Sequence, residues 1–334
     1  MTLAISGTTG ITLATQFDSA STFAFKNRFI NGAMQVAQRG TSGTSGAAVP
    51  TTAPTYPSVD RWYAYATGAT VTVAQVAGTG AIKNNLQVSG AASVTAVGVG
   101  QRIEQLNCYD LAGSTCTLSV NMSNSLLTTV TWTASYATTA NTWSAKTTIS
   151  SGTFTVTSSL ANYSAQIVVP AAATTGIEIL FTVGAQTSGT WVIGNAQFEQ
   201  SSTVATSFDY RPYTTELQLC QRYYYRVVSG SSFGRFGSSF NFATNTAIGL
   251  VQFPVTLRIA PTALEQSGTA GDYAVVTTSV VTCTGVPTIN ANGTNTTVAI
   301  VSFPTTTGLT AGQGGQLASA TGISTAYLGW SAEL

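Results

Sequence analysis

Eleven carboxylates and no histidine bound the chemistry open to this chain. Glycoside hydrolysis needs two carboxyl groups at a set separation, one donating a proton and the other attacking or activating water. Glu104, Glu199, Asp209 and Glu216 belong to a series of short motifs linked with arginines, which marks them as charge partners. Asp110, Glu178, Glu265 and Asp272 show no such local partner. Without histidine there is no Ser-His-Asp triad, no Cys-His dyad and no imidazole metal site, and the commonest general base is missing. Cys108, Cys116, Cys220 and Cys283 are too scattered for a paired-cysteine zinc site. Cys108 and Cys116 could bridge only from neighbouring strands, and free, buried thiols are expected. No catalytic residue, metal site or cofactor is expected, and the chain is read as not an enzyme.

Sugar binding remains open. It needs an aromatic platform beside amide or carboxylate groups. Trp132, Tyr136, Trp143 and Trp191 are the candidate rings, with Asn141 and Asn162 among the polar neighbours. Trp132 shares the phase of Val130 and belongs to a core. Trp143, in the polar run Thr-Thr-Ala-Asn-Thr-Trp-Ser-Ala, reads as an exposed loop residue and is the candidate glycan contact. Nucleic acid is disfavoured, because twelve basic residues are balanced by the eleven acids and no segment clusters Lys or Arg. Gly98-Val-Gly100 lies in alternating Ser/Thr/Val sequence and reads as strand ends, not as a dinucleotide loop. No apolar run has the length of a membrane helix, and the first residues lack a basic region and an apolar run, so cytoplasmic synthesis is expected.

The elements that must hold these residues are strands. Thr128–Tyr136 places Val130, Trp132, Ala134 and Tyr136 on one face and hydroxyls on the other. The same period of two runs through Thr115–Met122, Tyr163–Val169 and Ile177–Val183. Helical spacing shows only around Thr214–Tyr224. The class is all-β, with a short β-prone arm at 1–26 and a two-sheet jelly-roll β-sandwich at 27–212. A connector and smaller C-terminal β domain occupy 213–334, with strand-like runs at Ala247–Phe253, Tyr273–Val281, Thr297–Phe303 and Ala326–Trp330. Thr305–Thr321, rich in Gly, Thr and Ala, reads as a mobile or partner-supported loop.

Charge is scarce, 7% of residues against roughly a quarter in an ordinary domain. Six of the 23 charged residues nevertheless fall between Ala196 and Arg226, together with five of the 13 tyrosines. Arg61 beside Asp60 and Trp62, Arg102 near Glu104, and Arg211 between Tyr210 and Pro212 suit buried pairing. With Glu199, Glu216, Arg222 and Tyr223 they are assigned structural and interdomain roles, and the nearly uncharged loops beyond are expected to face outward. A surface of Thr, Ser, Asn and Gly protects weakly against edge-to-edge association, which favours an obligate oligomer.

An ordered series of motifs carries a resemblance. It opens with Asn27-Arg-Phe-Ile-Asn-Gly32 and Gln38-Arg39-Gly40, and continues through Asp60-Arg61-Trp62 and Gln101-Arg102-Ile103-Glu104. It closes with Gln197-Phe198-Glu199, Ala205-Thr206-Ser207-Phe208 and Tyr210-Arg211-Pro212, then Glu216-Leu217 and Cys220-Gln221-Arg222-Tyr223-Tyr224. The series resembles a domain of tailed-bacteriophage tail fibres and related virion appendages, densest from Asn27 to Tyr224. Where that pattern has Trp before Gln-Arg-Gly, this chain has Ala37. The resemblance implies a carbohydrate-binding-module-like jelly roll followed by a smaller β domain. It implies a virion protein made in the host cytoplasm, attached to other virion proteins through residues 1–26, and without membrane insertion. Its expected role is a homotrimeric tail fibre that recognises a host-surface glycan or protein. A purely structural head, neck or decoration fibre is the alternative, and a polysaccharide depolymerase a minor one.

Overall fold

The computed structural model describes residues 25–45, 54–201 and 204–334. Apart from Phe25 and Lys26, the expected attachment arm at 1–26 lies outside them. The chain divides into two compact units, with the boundary between Pro212 and Tyr213 and with Val36–Gly40 belonging to the second unit. Among the described residues no helix is long and apolar enough to cross a membrane.

The first unit is a jelly-roll β-sandwich. Its strands are β1 (Ser42–Ser45), β2 (Tyr63–Thr67), β3 (Val71–Ala77), β4 (Asn84–Ser89), β5 (Ala96–Ile103) and β6 (Thr115–Asn124). Then follow β7 (Thr129–Thr139), β8 (Thr142–Thr155), β9 (Ala161–Val168), β10 (Ile177–Val183) and β11 (Thr190–Gln200). One sheet has the order β1-β3-β4-β11-β6-β9 and the other β2-β5-β10-β7-β8, with every pair antiparallel. The period of two in the sequence becomes an inside and an outside. Val130, Trp132 and Ala134 of β7 meet Val97 and Val99 of β5 and Ile177, Ile179 and Phe181 of β10 in the core. Leu118, Val120 and Met122 of β6 enter it from the opposite sheet.

After Val36–Gly40, the second unit continues with the helix α1 (Tyr213–Gln221), at the place of the helical spacing. Its strands are β12 (Tyr224–Val228), β13 (Arg235–Ala243), β14 (Thr246–Gln252), β15 (Glu265–Gln266) and β16 (Tyr273–Val276). The rest are β17 (Val280–Thr282), β18 (Thr288–Asn290), β19 (Val298–Pro304), β20 (Gly314–Ser319) and β21 (Tyr327–Ser331). They form a three-stranded sheet, β12-β21-β15, and a seven-stranded sheet, β17-β16-β20-β13-β14-β19-β18. Trp330, Tyr273, Phe303 and Leu317 are buried in its core.

Two expectations need correction. The stretch Thr305–Thr321 is not one loop: β20 lies inside the seven-stranded sheet, paired on both sides by β13 and β16. Its glycines and lone large apolar residue hide the alternation, and the paired edges on either side supply the order. Gly98 and Gly100 are not strand ends either, but lie within β5.

Candidate functional site

The glycines of β5 shape the outer face of the five-stranded sheet. Tyr63 of β2 stands opposite Gly100, and Tyr65 opposite Gly98. A methyl group on Gly98 would sit 2.2 Å from the Tyr65 ring, and one on Gly100 would sit 2.5 Å from the Tyr63 hydroxyl. The two rings therefore lie against bare backbone, a close approach that any side chain on β5 would block. Tyr63 is buried, with Tyr56 edge-on to it at 6.3 Å, while Tyr65 is half-buried. Leu180 and Thr182 of β10 and Thr131 and Thr133 of β7 continue the same face and are partly exposed.

A buried charge cluster borders this aromatic strip. Glu178 of β10 accepts from Arg102 Nε at 2.9 Å and from Lys146 Nζ, and the Tyr63 hydroxyl donates to it. Burial opposes ionisation of Glu178, but the Lys146 ammonium and the Arg102 guanidinium outweigh it and hold the carboxyl below its ordinary range. Burial, then the charge of Glu178, pushes the Tyr63 hydroxyl well above its usual value, so it stays a proton donor. The Arg102 guanidinium carbon lies 5.5 Å from the Tyr63 ring centre and 5.1 Å from that of Trp143. The partner of Arg102 shown here is 76 residues away, beyond the reach of local spacing. Glu104, two residues along, is also buried.

Trp143 is not a loop residue. It is the second residue of β8 and only 5% exposed, packed against Gly176 under the Arg102 guanidinium. The tight turn at Asn141, with φ of 55°, lets the hairpin continue where the polar sequence reads as a loop. Trp191, at 0% exposed, is core. The half-buried Tyr65, not singled out by the sequence, is the ring this face presents.

The remaining motif residues hold one another. Asn27 accepts from the amides of Phe29 and Phe198 and donates to the Ala196 carbonyl at 2.9 Å. Asn31 takes a φ of 60° and donates to the Asp60 carbonyl, while the Trp62 indole donates to the Asn31 carbonyl at 3.0 Å. Gly32 packs so close to Ala196 that a methyl group would stand 2.2 Å from its carbonyl oxygen. The Gln101 amide binds both the amide and the carbonyl of Ile30, at 2.8 and 2.9 Å, as a neighbouring strand would. Arg61 is 1% exposed, takes a φ of 72°, and donates to the Arg102 carbonyl. Glu199 is fully buried and accepts from the Thr206 amide and hydroxyl and from Gln197, with Lys26 at 4.0 Å. Arg211 donates to the carbonyls of Asn27 and Phe29 and lies 3.9 Å from Asp209, all within the first unit.

Gln38-Arg39-Gly40 serves the second unit. The Gln38 amide donates to the Tyr224 carbonyl at 2.7 Å. Arg39 stacks on the Tyr224 ring and lies 3.7 Å from both Glu265 and Glu333. Arg226 donates to the Arg39 carbonyl and stacks on Tyr327. In the same unit Glu216 is buried on α1, Arg222 flanks the ring of buried Tyr223, and the Tyr223 carbonyl accepts from the Ala332 amide. Among the described residues no group of three or more Cys, Asp or Glu is placed to hold a metal ion.

No family model and no curated protein matches the chain. Among solved structures, the carbohydrate-binding module CBM4 is 13% identical with a TM-score of 0.35, over 51% of this chain and 98% of the module. The enzymatically active domain of tailspike protein 4 of bacteriophage CBA120 is 16% identical with a TM-score of 0.33, over 53% of this chain and 22% of that one. The C-terminal family 22 carbohydrate-binding module of a Clostridium thermocellum protein is 19% identical with a TM-score of 0.31, over 43% and 89%. At these identities and scores the similarities carry nothing about function.

Proposed function

We propose that the chain is a structural virion protein of a tailed bacteriophage, a homotrimeric tail fibre whose first unit binds a host-surface glycan. The observation that carries this reading is the mutual locking of the motif series. Asn27, Asn31, Gln101, Gln197 and Arg211 each bridge to another member of the series or to the segment beside it. The series that resembles fibre proteins is thus one cooperative frame and not a chance scatter of short matches. The frame carries no catalytic step in this reading, since Glu178 is committed to Arg102 and Lys146.

The glycan surface is the outer face of the five-stranded sheet. Tyr65 offers a ring laid along the sheet, with Thr182 and Thr131 continuing the face and the Lys146–Glu178 pair on the same sheet. Trp143 is buried against the Arg102 guanidinium and does not present its ring to this face. Self-association draws support from the second unit, where Phe240, Phe242, Leu250 and Val280 are exposed on the outer side of the seven-stranded sheet. Large exposed apolar patches of this kind mark association surfaces.

The test is adsorption. Purified full-length protein should block particle attachment to host cells, Tyr65→Ala protein should block far less, and antibody should label the tail. A label on the head or neck, with no effect on adsorption, would sink the receptor role and favour a structural fibre. A monomeric mass in solution would overturn the trimer.

A further inference from the structure

A polar recess also lies in the first unit, lined by residues other than those of the Tyr65 face and sharing Tyr210 and Arg211 with the motif series. It is a cleft of about 260 Å³ lined by Ala33, Gln35, Ala81, Lys83, Tyr210 and Arg211. Its charge is one-sided. Lys83 is exposed, no carboxylate of the described residues pairs with it, and Arg211 adds a guanidinium to the wall. Asp209, the acid next to Arg211, is buried and does not line the cleft.

The Tyr210 ring is held in place, not loose. Its hydroxyl accepts from Asn195 Nδ2 at 2.7 Å and donates to the Ala81 carbonyl at 3.2 Å. Phe208 supports the ring edge-on at 4.7 Å, and 49% of Tyr210 remains exposed. Asn195 sits where the register of β11 shifts, in a left-handed conformation with φ of 41° and with 8% exposure. A bulge that re-aims one side chain, at a cost in backbone strain, is a device found beside binding sites. The backbone of Lys83 is fixed as well, at the end of the β3–β4 turn, where its carbonyl accepts from the Gly78 amide.

A fixed ring face, an ammonium, a guanidinium and the Gln35 amide in one small cleft suit a sugar ring that bears an acid. We propose that this cleft binds a uronic-acid-type residue of an acidic polysaccharide, its carboxylate on Lys83 with Arg211 behind it and its ring face on Tyr210. Charge-assisted contact to the carboxylate supplies the preference over a neutral sugar. The site does not depend on the chain being a virion protein, nor on the Tyr65 face.

Titration calorimetry of the full chain with trigalacturonate and with galactotriose tests it, in wild type, Lys83→Met and Tyr65→Ala. Trigalacturonate should bind at least tenfold more tightly than galactotriose. Lys83→Met should erase that difference, and Tyr65→Ala should leave it intact. Absence of trigalacturonate binding, equal binding of the two sugars, or an unchanged preference in Lys83→Met would each overturn the proposal. Loss of the preference in Tyr65→Ala alone would move the acidic sugar to the sheet face and would equally overturn it.

Discussion

The guanidinium carbon of Arg39 lies 3.4 Å from the centre of the Tyr224 ring, and the Tyr224 hydroxyl donates to Glu265, which also faces Arg39. One planar cation is thus held by a ring face, by Glu265 and by the nearly buried Glu333. A lysine has the charge but not the plane. Arg39→Lys should destabilise the second unit by about 1–2 kcal/mol, the scale of a desolvated cation–π contact. Urea unfolding followed by tryptophan fluorescence reads it, and a wild-type midpoint would contradict the stacked geometry.

Gly32 faces a stricter limit. The carbonyl that crowds it is backbone and cannot swing aside. Gly32→Ala should cost about 2–3 kcal/mol by overpacking, visible as a lower melting temperature. Gly40→Ala is the comparison for the steric part, since nothing lies within 4 Å there and only its φ of 117° is unfavourable.

On the sheet face, Gly98→Ala should displace the Tyr65 ring and cost about 1–3 kcal/mol. Tyr65→Ala leaves the backbone untouched, so it should lower glycan retention on affinity gels with a smaller change in melting temperature. Equal retention by both variants and wild type would remove this face from recognition.

Glu178 makes stability depend on acid. Its folded carboxyl titrates below the ordinary value of 4.5, so its contribution is complete above that value and fades as pH falls through the folded one. Glu178→Gln should cost about 3 kcal/mol at neutral pH by removing the carboxylate that faces the buried Arg102 guanidinium. Below pH 4.5 the variant and wild type should converge. Parallel stability curves across that range would show that the carboxylate is not the cause.

None of the four cysteines is in a disulfide, and all four are buried. Burial pushes the thiols of Cys108 and Cys283 up to about 12 and that of Cys116 up to about 11. At pH 8 native protein should react with maleimide far more slowly than protein in denaturant. Fast labelling of these three in the native state would contradict their burial.

The sequence revealed most where local pattern and long-range partner agree. Val130, Trp132 and Ala134 alternate because one face of β7 is core, and that is visible without knowing the neighbouring strand. β20 is hidden in the sequence because Gly314 and Gly315 give no alternation, and its order comes from strands far away in sequence. Trp143 misled because Asn141 turns the chain inside a polar run, so a hairpin resembles a loop. The arginines are legible as paired, and Asp209 beside Arg211 is a local partner, but other partners lie far along the chain. Arg102 reaches Glu178, and Arg211 reaches carbonyls 182 and 184 residues away. Charge spacing shows that a pair is needed; the fold adds the distant partners.

Because Val36–Gly40 belongs to the second unit, the order of synthesis and the order of assembly differ. The segment is made early, but the Tyr224 carbonyl that receives Gln38 comes 186 residues later and the Ser331 hydroxyl that receives Arg39 comes 292 later. Until those residues have been made, this five-residue strip lacks these partners. Its glutamine, arginine and glycine suit that interval, being content in water until a ring arrives to cover them.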